Sequence, residues 1–117
     1  MMNRLSLFLV PCLFASLSAA ADDCGEPPLD LPTIPNGTTA TVDDIRVARE
    51  DVVKYSQKVD AYLSCMDKRS QALLPYMTKE EKARWDEDLT NLHNGRRDVQ
   101  IKMNDAIRAY RDAHKEG

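Results

Sequence analysis

The sequence predicts an all-α fold: an antiparallel two-helix hairpin, similar to a coiled coil, that follows an extended proline-rich N-terminal arm. Three observations predict this fold. Apolar residues recur at alternating steps of three and four along two long segments. Prolines fill the stretch before the first segment and separate it from the second. Two cysteines, suited to a disulfide that tethers the arm to the first helix, remain after an N-terminal export signal. We divide the chain into a signal peptide (1–21), an arm (22–41) and a hairpin (42–117).

The first 21 residues have the features of a secretory signal peptide. Arg4 supplies the positive start, residues 5–17 supply the apolar run, and small residues precede the first acidic ones. We expect cleavage after Ala20 or Ala21 and a periplasmic or secreted mature protein. The alternative is that the apolar leader is kept as a membrane anchor.

The charge and hydropathy of the chain argue against two classes of partner. The formal net charge is −3, whereas binding to nucleic acid or to an anionic membrane surface calls for a basic patch. After the signal, no apolar run approaches the length of a membrane span. We therefore expect no nucleic-acid partner and no stable membrane insertion once the signal is removed.

The arm, residues 22–41, is predicted to be extended, because proline fixes its own φ and disfavours helix at the residue before it. Residues 36–37 are an Asn-Gly pair, which is typical of a turn. Residues 36–38 also match a glycosylation sequon, but we prefer the interpretation as a turn. Apolar side chains between the prolines indicate that the arm packs on an apolar surface. These side chains belong to Leu29, Leu31 and Ile34.

The first helix is predicted over about 42–74. Thr41 can cap its free amides while Asp44 reaches back to the Thr41 amide, which is a variant of the capping box. Pro75 ends the helix, because it disfavours α geometry at the residue before it. The stripe of this helix consists of Ile45, Ala48, Val52, Tyr55, Val59, Tyr62, Met66, Arg69 and Leu73, of which Arg69 alone is not apolar.

The second helix is predicted over about 79–115, with a second capping box at Thr78 and Glu81. Its weak point is the Asn94-Gly95 pair, where a turn would give a three-helix bundle. We favour one continuous helix because the apolar stripe crosses this pair without a phase shift. The stripe consists of Trp85, Leu89, Leu92, Arg96, Val99, Met103, Ala106, Tyr110 and Ala113.

Cys24 and Cys65 are predicted to form a structural disulfide. The helix from Thr41 to Cys65 advances about 36 Å, and an arm of this length reaches about 50 Å at polyproline rise. The arm can therefore lie back along the hairpin and close the bond. A redox-active or metal-binding Cys65 is the competing interpretation, but the chain has no Cys-x-x-Cys pair and no histidine within helical reach of Cys65.

No catalytic or metal-ligating constellation stands out in the sequence, so we predict no catalytic residue, no metal site and no cofactor. Arg96 interrupts the apolar stripe opposite Val59 and must reach Asp60, a tyrosine hydroxyl or water. One interpretation is that Arg96 extends to solvent and fixes the register of the hairpin. The functional interpretation places Arg96, Arg97 and Tyr62 in a binding groove for an acidic partner.

Three short motifs resemble a pattern found in small exported bacterial proteins that have a proline-rich cysteine arm and a helical Tyr-x-x-Cys motif. The motifs are residues 24–27, residues 35–41 and residues 62–65, and they cover about the first half of the mature chain. The resemblance implies a bacterial envelope location and the Cys24–Cys65 bridge, and it implies no activity.

We predict that the protein is not an enzyme and acts through contacts with other proteins. Some apolar residues lie off the helix–helix stripe and need a cover, which the arm, a client protein or a second copy could supply. A homodimer with a four-helix arrangement is the simplest outcome. The alternatives are an envelope-stress chaperone and an accessory or inhibitor subunit of an exported enzyme. The off-stripe residues are Val53, Leu63, Ile101 and Ile107.

Overall fold

The computed structural model describes residues 23–115, which form two long α-helices and no strand. Helix α1 is Val42–Leu73, a 3₁₀ turn follows at Leu74–Tyr76, and helix α2 is Lys79–Ala113. The two helices pack against each other, which confirms the predicted all-α hairpin. The predicted signal peptide, residues 1–21, lies outside the described residues.

Hydrogen bonds fix where the two helices begin. The Thr41 hydroxyl accepts from the Asp44 amide at 3.1 Å, and the Asp44 carboxylate accepts from the Thr41 amide at 2.9 Å, so the predicted capping box is present. At α2, the Thr78 hydroxyl accepts from the Glu81 amide at 3.1 Å. Each cap satisfies an amide that has no partner inside its helix.

The far ends of the helices differ from the prediction by one or two residues. Helix α1 stops at Leu73 rather than 74, because the 3₁₀ turn that contains Pro75 begins at Leu74. Helix α2 stops at Ala113 rather than 115. It runs through Gly95 without a break, so the three-helix alternative is wrong.

The core is a narrow layer between the two helices, with the fully buried Val59 in it. Leu63, which we expected to lie off the helix–helix stripe, is buried as well. Val53 and Ile101 are exposed, as predicted, and the homodimer that would cover them stays a prediction. The other buried core residues are Ala40, Ile45, Ala48, Val52, Tyr55, Leu92, Val99, Met103 and Ala106.

The arm has no regular secondary structure and is attached to the hairpin at both of its ends. Near its start, Cys24 and Cys65 form the predicted disulfide, with their Cα atoms 5.6 Å apart. Near its end, Ile34 packs against the core and Ala40 is buried. The expectation that the arm packs on an apolar surface therefore holds for its C-terminal part.

A turn at residues 36–40 brings the arm into direct contact with α2. The Asn36 carbonyl accepts from the Ala40 amide at 2.9 Å, and the Asn36 side chain accepts from the Thr38 amide at 3.0 Å. This turn places Gly37 so close to α2 that a Cβ there would lie 2.8 Å from the Ala106 carbonyl carbon, and closer still to its oxygen. The φ of Gly37 is not positive, so the small size of glycine is what this position requires.

No helix in the part of the chain from 23 to 115 combines the length and the apolar character needed to cross a membrane.

Candidate functional site

A cavity of about 570 Å³ lies between the arm and the two helices, and we call it the arm–hairpin cavity. Its volume lies within the range of ordinary ligand sites. All three parts of the fold contribute to its walls. The lining residues are Pro27, Pro28, Leu29 and Leu31 from the arm; Tyr55, Tyr62 and Met66 from α1; and Trp85, Asp88, Leu89, Asn91, Leu92 and Gly95 from α2.

The walls of the cavity are mostly apolar, and three of the lining side chains are aromatic: Tyr55, Tyr62 and Trp85. The indole N–H of Trp85 is buried and has no hydrogen-bond partner among residues 23–115. A buried donor without an acceptor costs about 1–3 kcal/mol. The placement of Trp85 in the cavity wall therefore carries a cost in stability.

Gly95 lies in the middle of α2 and lines the cavity. A Cβ added there would meet only the Tyr55 hydroxyl, at 3.8 Å, which is an ordinary contact. Neither backbone strain nor close packing therefore requires glycine at this position, although a mid-helix glycine costs about 1 kcal/mol relative to alanine. The observed effect of the missing side chain is to leave space open in the cavity wall.

We expect Gly95→Ala to raise the free energy of unfolding by about 1 kcal/mol, because alanine is the better helix former and its methyl group fits. Urea denaturation of the two chains measures this difference. A lower stability for the alanine variant would show that a methyl group does not fit at Gly95.

The electrostatics of the cavity are set mainly by Asp88, which among residues 23–115 is the single charged residue in the lining. Burial raises the pKa of Tyr62, and the nearby carboxylates of Asp88 and Asp23 raise it further, while Arg69 acts in the opposite direction. Burial also raises the pKa of Tyr55, against a smaller lowering by Arg96. The Tyr62 end of the cavity is therefore in a field to which carboxylates contribute more than the one arginine does.

The structure does not bring the three predicted partner-binding residues to one place in the cavity. Tyr62 lines it. Arg96 does not line it and instead pairs with Asp60, which is one of the partners expected from the sequence. Arg97 is exposed and is not a lining residue. A partner-binding role for the two arginines stays a prediction.

The Arg96–Asp60 pair is predicted to contribute little to stability. The Arg96 side chain is partly buried and that of Asp60 is exposed, and such pairs contribute about 0.2–1 kcal/mol. We expect Arg96→Leu to change the free energy of unfolding by less than about 1 kcal/mol, since leucine retains the apolar packing of the stem. Arg96→Ala should lower it by about 1 kcal/mol, because alanine loses that packing as well. Urea denaturation compares the two variants. Equal losses of unfolding free energy would show that the charge of Arg96 stabilises the fold and that the packing of its stem does not.

The two histidines lie outside the cavity. His93 is exposed, with its Nδ1 atom 3.5 Å from Arg96, and the His114 ring contacts the Tyr110 carbonyl oxygen. Among residues 23–115 no three histidine, cysteine or acidic side chains come together in a way that could hold a metal ion. The predictions that the protein has no metal site and no cofactor remain predictions.

The sequence analysis placed several of the lining residues on the apolar stripes of the helices, but it did not predict a cavity between them. It assigned Tyr55, Tyr62 and Trp85 to the apolar stripes and treated Gly95 only as a weak point of α2. It also expected the apolar side chains of the arm to pack on an apolar surface, whereas Leu29 and Leu31 remain 71% and 59% exposed at the cavity. The one local clue was a mid-helix glycine at a position where alanine is favoured.

Comparison of the chain with protein-family models, with curated proteins and with solved structures finds no match.

Proposed function

We propose that the protein is an exported, non-enzymatic binding protein that takes an apolar segment of another protein into the arm–hairpin cavity. The observation that carries this proposal is Gly95. A residue that weakens its own helix, is not required by packing and leaves space in an aromatic cavity is typical of a position kept for binding rather than for stability.

Two further features support binding of a polypeptide segment. The cavity opens beside Leu29 and Leu31, whose exposed apolar side chains could continue the contact beyond the cavity. Interfaces between proteins are enriched in tyrosine, tryptophan and methionine, and the cavity contains Tyr62, Trp85 and Met66.

A site-specific photo-crosslinker tests the proposal. Benzoylphenylalanine placed at Leu31 should yield a discrete adduct with another protein in cells that make the chain. The matched control is the same group at Val47, which is also exposed and does not line the cavity. Equal adducts at the two positions, or none at Leu31, would contradict binding in the cavity.

Gly95→Leu separates binding from folding. Leucine is a strong helix former, and its side chain would occupy the space that Gly95 leaves in the cavity. We expect this variant to fold at least as stably as the natural chain and to lose the Leu31 adduct by about tenfold or more, as expected when a ligand's apolar contacts are lost. An undiminished adduct in the folded variant would place the binding surface elsewhere.

We also propose that the chain is exported to the periplasm or secreted, with cleavage after Ala20 or Ala21. The Cys24–Cys65 disulfide supports this, because such bonds form and persist in oxidising compartments. Cell fractionation with intact-mass measurement tests it. The mature chain should begin at Ala21 or Asp22 and carry the disulfide; a reduced chain in the cytoplasm would refute export.

A further inference from the structure

We infer that the arm–hairpin cavity selects a partner segment in which a lysine or arginine side chain stands among apolar residues. This inference rests on the proposed function and adds the chemistry of the occupant. It is carried by the position of one carboxylate among three aromatic side chains.

Asp88 is the charged group that a ligand in the cavity would meet. It is exposed, it lines the cavity, and it forms no ion pair with any residue between 23 and 115. It also lines the adjoining cavity of about 360 Å³, where Arg84 and Glu81 contribute charges of opposite sign. A cation in the arm–hairpin cavity would gain a free carboxylate, whereas an anion would be repelled by it.

The aromatic side chains favour the same class of ligand. An organic cation is attracted to the π systems of tryptophan and tyrosine when it lies within about 6 Å of a ring centroid. Tyr55, Tyr62 and Trp85 line one cavity together with Asp88. The long aliphatic stem of a lysine or arginine would contact apolar walls such as Met66 and Leu92.

The charges around Tyr62 favour a cation as well. Among residues 23–115, Asp88 and Asp23 both raise the pKa of Tyr62, and Arg69 is the one positive group that lowers it. The arm contributes further acidic residues and no basic one between 22 and 41. An approaching basic segment would therefore meet a predominantly acidic arm before it reached the cavity.

Fluorescence of Trp85 tests the inference, because Trp85 is the single tryptophan of the chain and lines the cavity. The probes are three blocked pentapeptides with the order alanine, leucine, variable residue, leucine, alanine, titrated into the mature disulfide-bonded chain. The variable residue is lysine, Nε-acetyl-lysine or glutamate. We expect the lysine peptide to bind about tenfold more tightly than the acetyl-lysine peptide at low salt, and the glutamate peptide to bind least.

Two pairs of variants locate the selectivity. Asp88→Asn should abolish most of the preference for lysine over acetyl-lysine, whereas Asp86→Asn, an equal change of charge at an exposed residue outside the cavity, should retain it. Tyr62→Phe keeps the ring and should retain the preference, while Tyr62→Leu should reduce it. Circular dichroism checks that each variant folds.

The outcomes separate the inference from the function on which it rests. Equal binding of the lysine and acetyl-lysine peptides would overturn the inference and leave binding of an apolar segment in place. Loss of the preference in Asp86→Asn as well as in Asp88→Asn would also overturn it, because the effect would then be one of overall charge. No fluorescence change with any of the three peptides would overturn the inference, and together with no Leu31 adduct it would overturn the proposed function as well.

Discussion

Gly37→Ala is expected to lower the free energy of unfolding by about 3 kcal/mol, near the upper end of the usual cost of overpacking. The added methyl group would lie 2.8 Å from the Ala106 carbonyl carbon and 2.9 Å from the Ala109 side chain. Two of the opposing atoms belong to the backbone of α2, which cannot rotate away as a side chain can. The turn must therefore separate from the helix, and Ile34 and Ala40 would lose their packing with it.

Thermal denaturation measures this loss, and the melting temperature should fall by roughly 10–25 °C for a domain of this size. Thr38→Ala is the matched control, because Thr38 is an exposed neighbour in the same turn whose backbone hydrogen bond would remain. Gly95→Ala is a second control at a glycine where a methyl group fits. If Gly37→Ala melted like Thr38→Ala, the close contact between the turn and α2 would be wrong.

The second large loss of stability is expected when the disulfide is removed. Cys24 and Cys65 are separated by 41 positions in the sequence, and closing a loop of that size stabilises a fold by about 4 kcal/mol in the chain-entropy model. We expect the double variant Cys24→Ser, Cys65→Ser to lose most of that stability. Because two helices share only a narrow core, we expect the bond to supply a large part of the net stability of this small domain.

Urea denaturation with and without reducing agent measures this effect. The reductant should destabilise the natural chain to about the level of the double variant and should leave the double variant unchanged. The double variant avoids the free thiol that either single variant would expose. Identical unfolding midpoints for the oxidised natural chain and the double variant would show that the bridge does not stabilise the fold.

The two predictions concern the two attachments of one segment. The arm is held near its start by Cys24 and near its end by Gly37, and the cavity wall from Pro27 to Leu31 lies between them. Loss of either attachment should therefore also weaken binding in the arm–hairpin cavity. Gly95→Leu differs from both, because it is expected to block the cavity without loosening the arm.

Most of the fold follows from patterns that are local in the sequence. The spacing of apolar residues by three and four defines both helices, and Thr41 and Thr78 mark their starts because a hydroxyl at that position satisfies a free amide. Pro75 marks the reversal. The pairing of Cys24 with Cys65 also follows, since only two cysteines remain after the predicted signal and the arm is long enough to bring them together.

The candidate site depends on contacts between segments that are distant in the sequence. The period of the apolar residues predicts which face of a helix is buried. It does not predict whether a third segment of the chain fills the space beside that face. The stripes therefore predicted burial for Tyr62 and Trp85, whereas the structure places both at a cavity that the arm covers only in part.

The helices, their caps and the disulfide can be predicted from the sequence, because each depends on residue spacing or on near neighbours. The contact of Gly37 with the backbone of α2, and the open cavity beside Gly95, are seen only once the chain is folded. In the sequence the two glycines differ in nothing that shows this, because each is simply a residue without a side chain. The physical difference is what lies opposite: backbone atoms that leave no room at Gly37, and open space at Gly95.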